Sequence, residues 1–64
     1  MRYRLAWNVR GQIEPKVKNI DVADLDDAKE EAWKIITQGD LDLNVVEEVS
    51  IYDDNDKWIE SVGL

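Results

Sequence analysis

The chain has no cysteine, no histidine and no phenylalanine, and only one proline and three glycines among its 64 residues. Without thiols no disulfide can staple the fold, and without thiol or imidazole the usual ligand sets for zinc, haem and iron–sulfur clusters are missing. Nucleophilic chemistry narrows in the same way. Apart from the tyrosines, hydroxyls occur only at Thr37, Ser50 and Ser61, none of them in a nucleophile-elbow context. A carboxylate pair could serve as acid and base only in a cleft deep enough to separate two pKa values, and a thin core offers little such burial. A non-catalytic protein without a cofactor is therefore expected. Long apolar runs are absent too. The basic start Met1-Arg2-Tyr3-Arg4 is followed by no leader-like apolar stretch, and no segment approaches a membrane span, which reads as a cytoplasmic protein with no membrane partner.

What is present is charge, and it is segregated. The first twenty residues carry five basic side chains (Arg2, Arg4, Arg10, Lys16, Lys18) against Glu14, giving +4, while residues 21–64 carry fourteen acids against Lys29, Lys34 and Lys57, giving −11. The net charge of −7 repels nucleic-acid phosphate and anionic lipid, so direct nucleic-acid binding is not expected. Arg2, Arg4 and Arg10 share one side of the first segment, where cross-strand partners such as Glu47 or Glu60 would neutralise them. A chain of this length forms one domain, residues 1–64, and buries only about 60% of its extended surface, so its core is a single layer between two elements.

The order of those elements is legible. Tyr3, Leu5, Trp7 and Val9 alternate with Arg2, Arg4, Asn8 and Arg10, the period of a half-buried strand. Gly11 marks a turn, and residues 12–22 are extended again, with Pro15 placing that strand at a sheet edge. Its apolar members Ile13, Val17, Ile20 and Val22 change parity, and a bulge near Lys18 and Asn19 would keep them all inward. Asp24 is the expected N-cap of a helix over Leu25–Gln38, with Asp27 at the third position, an inward stripe of Leu25, Ala28, Ala32, Ile35 and Ile36, Trp33 on the flank and Gly39 as the terminating residue. The tail from Leu41 reads as strand, with Leu41, Leu43, Val45, Val49 and Ile51 in one phase. A polar turn at Asp53-Asp54-Asn55-Asp56 and a last strand over residues 57–62 complete it. The expected fold is α+β: two hairpins forming an antiparallel sheet with one helix on one face, in the order strand-strand-helix-strand-strand.

Two features bear on function. Three tryptophans and two tyrosines exceed what a core this thin absorbs. Trp58 and Ile59 are adjacent on a strand and cannot both face the helix, so Trp58, Ile59 and Tyr52 are the candidate contact residues for a protein partner or a second copy of the chain. The acids Asp21, Asp24, Asp26, Asp27, Glu30, Glu31, Asp40 and Asp42 gather around the helix. They form a candidate acidic surface that either keeps the domain soluble or imitates a phosphate backbone and so inhibits a DNA- or RNA-binding protein. The run Asp53-Asp54-Asn55-Asp56 resembles the start of a calcium loop, but Lys57 replaces an oxygen ligand, Trp58 the required glycine and Leu64 the terminal glutamate, so a solvated turn without metal is expected.

The stretch Ile20-Asp21-Val22-Ala23-Asp24, running into Asp27-Ala28-Lys29-Glu30-Glu31-Ala32-Trp33 and closing on Gly39-Asp40, resembles the small DpnD/PcfM-like proteins of bacteria and mobile elements. The resemblance spans roughly residues 3–51. It implies a hairpin leading through an acidic cap into an alanine-punctuated helix, and an accessory or host-interaction role in a prokaryote or mobile element. That family has no assigned activity, so no functional residues carry over, and the tryptophan-bearing tail around Trp58 departs from its pattern.

Overall fold

A computed structural model describes residues 1–40 and 42–63. Strand β1 (Arg2–Trp7) pairs antiparallel with β2 (Lys16–Asp21). Helix α1 (Leu25–Gln38) follows, and β3 (Glu48–Tyr52) pairs antiparallel with both β1 and β4 (Trp58–Gly63). The resulting four-stranded sheet has the order β2-β1-β3-β4, which leaves β2 and β4 as its edges. One helix covers one face of this sheet, and the two-hairpin α+β architecture expected from the sequence is the one observed.

The helix begins where its capping chemistry places it. The Asp24 carboxylate accepts the Asp27 N–H at 3.0 Å, and Asp26 and Asp27 put negative charge beside the remaining free N–H groups of the first turn. At the other end Gly39 adopts φ +83° with ψ 169°, a region open to glycine alone, and a Cβ there would lie 3.1 Å from the Asn44 carbonyl oxygen. Gly39→Ala is expected to destabilise the fold by about 1–3 kcal/mol, read as a lower denaturation midpoint at unchanged slope.

Ala28, Ala32, Ile35 and Ile36 of α1 are buried against Tyr3, Leu5 and Trp7 of β1, Val49 and Ile51 of β3 and Val62 of β4, with Val9 and Val46 closing one end. The helix lies nearest β3 and β4. Its Lys29 ammonium bonds the Glu60 carboxylate of β4 at 2.8 Å. The opposite flank, with Glu31, Lys34, Ile35 and Gln38, borders an open cleft floored by Trp7 and walled by Lys18.

Two expectations about phase are corrected. The β1–β2 register runs unbroken from Arg2↔Asp21 to Trp7↔Lys16, so no bulge occurs at Lys18 and Asn19. Val17 therefore falls on the uncovered face at 52% exposure, and Ile13 lies in the connecting loop, fully open to solvent. The bulge is instead in the second hairpin, where Ile51 pairs with Glu60 and Tyr52 with Trp58, leaving Ile59 as the extra residue. Ile59 and Glu60 thereby both serve the helix side, one packing on the core and the other bonding Lys29, while Trp58 turns to the other face.

The strand expected from Leu41 onward is also absent over residues 42–47, and Leu41 itself lies outside the described residues. Leu43 (φ 61°) and Val45 are exposed, and Val46, which alternation from Val45 would put in the opposite phase, is buried. The cause is Asp40. Its carboxylate takes the Asp42 and Asn44 N–H groups and its carbonyl accepts the Leu43 N–H, so side-chain bonding replaces the ladder that a strand would need.

Candidate functional site

The one buried polar residue among those described is Asp40, with 1% of its side chain exposed. Oδ1 accepts the N–H groups of Asp42 and Asn44, both at 2.9 Å, and Oδ2 accepts the Trp7 indole N–H and the Asn44 side-chain amide, both at 3.2 Å. The Lys16 ammonium stands 3.6 Å from Oδ2 and also bonds the Asp42 carboxylate. Desolvation pushes the Asp40 carboxyl up, but the bonds from Asn44, Trp7 and Asp42 outweigh it and hold the group well below the usual carboxylate range. The Asp42 carboxylate in turn raises the Lys16 ammonium against partial desolvation. This arrangement corrects the reading of Asp40 as part of an acidic surface: every lone pair faces the protein, and the group ties the loop after α1 to β1 and β2.

Four of the other seven acids read as one surface are engaged one by one. Asp24 caps α1, Asp21 lies 3.3 Å from the N-terminal ammonium, Asp42 bonds Lys16 and Glu31 bonds Lys34 at 3.2 Å. Asp26 and Glu30 are exposed and Asp27 is half-buried, with no ion-pair partner for these three among the described residues. In the polar turn, Asp53 Oδ1 accepts the N–H groups of Asn55 (2.8 Å) and Lys57 (2.9 Å), and Asp56 bonds Arg4 at 2.6 Å. These carboxylates shape the turn and neutralise a β1 arginine. Glu60, expected as an arginine partner, points to the helix side instead. Among the described residues no group of three or more acidic side chains is disposed to hold a metal ion, and no helix is long and apolar enough to cross a membrane.

The candidate contact residues behave differently from one another. Ile59 is half-buried on the core, whereas Tyr52 and Trp58 lie on the face that no helix covers. Cross-strand register arranges that face in rows. Val17, Ala6, Ser50 and Ser61 form one row of small side chains, and Asn19, Arg4, Tyr52 and Trp58 form the next. The Trp58 indole N–H donates to Ser61 Oγ at 3.2 Å, and the Ser50 and Ser61 hydroxyls are 3.1 Å apart, so the ring is held over the small row with 60% of the residue exposed. Trp33, 40% exposed, sits one turn beyond Lys29 on the flank of α1 that overlies β4. Helical periodicity places Trp33 on a flank where its ring can cover a sheet edge, without saying which edge lies beneath.

The chain matches no family model, no curated protein and no solved structure.

Proposed function

We propose that this chain is a non-catalytic protein-binding module whose contact surface is the tryptophan-bearing end of the sheet, centred on Trp58 and Tyr52. The supporting observation is that Trp58 bonds Ser61 yet is 60% exposed, on a face that no element among the described residues covers. Indole and phenol side chains concentrate at the centres of protein interfaces because they bury large apolar area at small entropic cost. The separate engagement of Asp21, Asp24, Glu31 and Asp42, and the use of Asp40 inside the fold, favour this reading over nucleic-acid mimicry. An accessory role in a prokaryote or mobile element, suggested by the DpnD/PcfM-like pattern, belongs to the same proposal.

Trp58→Ala is the decisive variant. Its stability is expected to change by no more than about 1 kcal/mol, since the ring is mostly in solvent, while capture of proteins from native-cell lysate on the immobilised chain is lost. Capture by the wild type should survive rising salt, because apolar contacts are not screened; capture that disappears with salt and ignores Trp58→Ala would instead support the mimic.

A further inference from the structure

The two edges of the sheet are protected unequally. An edge strand offers unpaired N–H and C=O groups to any other strand, and folded proteins block this with charge, especially lysine, or with proline and bulges. Strand β2 carries Lys16, Lys18 and Asp21 and is entered from Pro15. Strand β4 has one charged side chain, Glu60, and that is turned onto the helix face and bound to Lys29. Its bulge lies at the start of the strand, so the run from Glu60 to Gly63 is regular and pairs with β3 residue for residue.

The exposed tryptophans border this same edge. Trp33 stands one turn from Lys29 on the helix flank that is bonded to β4, and Trp58 lies on the open face, at 40% and 60% exposure, together the equivalent of one whole exposed indole per copy. An apolar ring on each side of a strand excludes water from a main-chain ladder formed along it. We propose that the β4 edge pairs antiparallel with β4 of a second copy across a twofold axis, joining the two four-stranded sheets into one. The inference rests on the binding reading above and names its partner.

A second copy fits for a reason of charge. Twofold antiparallel pairing sets the residue on the axis against its own copy and brings its strand neighbours close to theirs, so a free charge near the middle of so short a strand is repelled by its copy; β4 carries none, with Glu60 bonded to Lys29. The remaining repulsion comes from the net −7 on each copy, which acts through solvent and is damped beyond about 8 Å at physiological salt. Self-association should therefore strengthen as salt rises. The indoles bury roughly 150–250 Å² per copy along a short ladder. That places the contact among weak interfaces below about 1,200 Å², with dissociation in the micromolar-to-millimolar range.

Sedimentation equilibrium from low micromolar to millimolar chain, at low and high salt, is the primary test, with amide hydrogen exchange at both ends of the concentration range. The expected result is a monomer–dimer equilibrium favoured by salt. Trp33→Ala and Trp58→Ala should each weaken it by about tenfold or more, and Ser61→Lys, which gives β4 the lysine that β2 already has, should abolish it with the circular dichroism spectrum unchanged. Alternate amides of residues 60–63 should gain protection only in the dimer. A strict monomer overturns the proposal, as does a dimer in which those amides exchange at the monomer rate, because its contact would be the sheet face. The exchange result decides the matter even if Ser61→Lys disturbs folding. A strict monomer that still loses its captured proteins on Trp58→Ala overturns self-pairing alone; indifference of both capture and self-association to Trp58→Ala overturns the binding reading too.

Discussion

Ala32→Glu is expected to leave the chain largely unfolded at room temperature. Ala32 has no exposed surface and stands between Ala28 and Ile36 on the stripe of α1 that meets the sheet. Its methyl lets the helix backbone lie close over the strands, and a glutamate there must either bury a carboxyl without partners or lift the helix away. Burying an unpartnered polar group costs about 2–7 kcal/mol, and a core of this size rarely supplies more than about 3–5 kcal/mol. The balance falls on the unfolded side. Glu30→Ala, on the exposed face, serves as the control and should change stability by no more than about 0.5 kcal/mol. Far-UV circular dichroism and thermal melting read both, and a wild-type melt for Ala32→Glu would mean that α1 docks through another face.

Asp40→Ala should be nearly as damaging. The substitution strips partners from the Trp7 indole, from two backbone N–H groups and from the Asn44 amide at once, around a carboxylate with 1% of its side chain exposed. A melting temperature lower by roughly 10 °C or more is expected, with a change in Trp7 fluorescence. Asp40→Asn, which keeps the shape and part of the bonding, should fall between. The same carboxylate sets an acid limb of stability. In the unfolded chain it takes up a proton near its ordinary value of 3.8, whereas the folded chain holds it ionised to lower pH. Between those values the unfolded state binds more protons, so this stabilisation is complete above the unfolded value and drains away as pH falls through the window. Lys16 runs the other way: its raised folded value gives stability that is complete below 10.5 and lost as pH climbs through the folded value. Melting temperature against pH should therefore fall at both extremes, and Asp40→Asn should flatten the acid limb; an unchanged acid limb in that variant would assign it to other carboxylates.

Much of this was legible in residue order. The cap at Asp24, the helix ending at Gln38 and the inward alternation of Tyr3, Leu5 and Trp7 are local matters, fixed by bonds a few residues long and by periods of 3.6 and 2. The failures lie where a distant group competes. Val17 would have stayed inward had a bulge formed beside it, but the unbroken ladder to β1 holds Lys16 on the helix side within reach of Asp40 and Asp42, and Val17 alternates outward in consequence. Leu43 and Val45 carry a strand pattern that the Asp40 carboxylate overrides by taking the backbone donors itself. Nothing in residues 40–46 announces that the tryptophan supplying part of that bonding is thirty-three positions away.

The contact surface divides along the same line. Residue order alone requires that Trp58 and Ile59, adjacent on a strand, point apart and that aromatics beyond what the core can hold stay outside, since side-chain alternation and the volume of a one-layer core follow from order and length. Which of the pair is exposed depends on where the β3–β4 register slips, a matter settled by pairing between strands. The folded chain alone brings the flank of α1 that carries Lys29 and Trp33 to β4, through the Lys29–Glu60 bond, and leaves β4 at an edge with its one charge turned inward. Strand order and helix placement arise from contacts between residues far apart in the chain, whose energies depend on packing that no local pattern encodes.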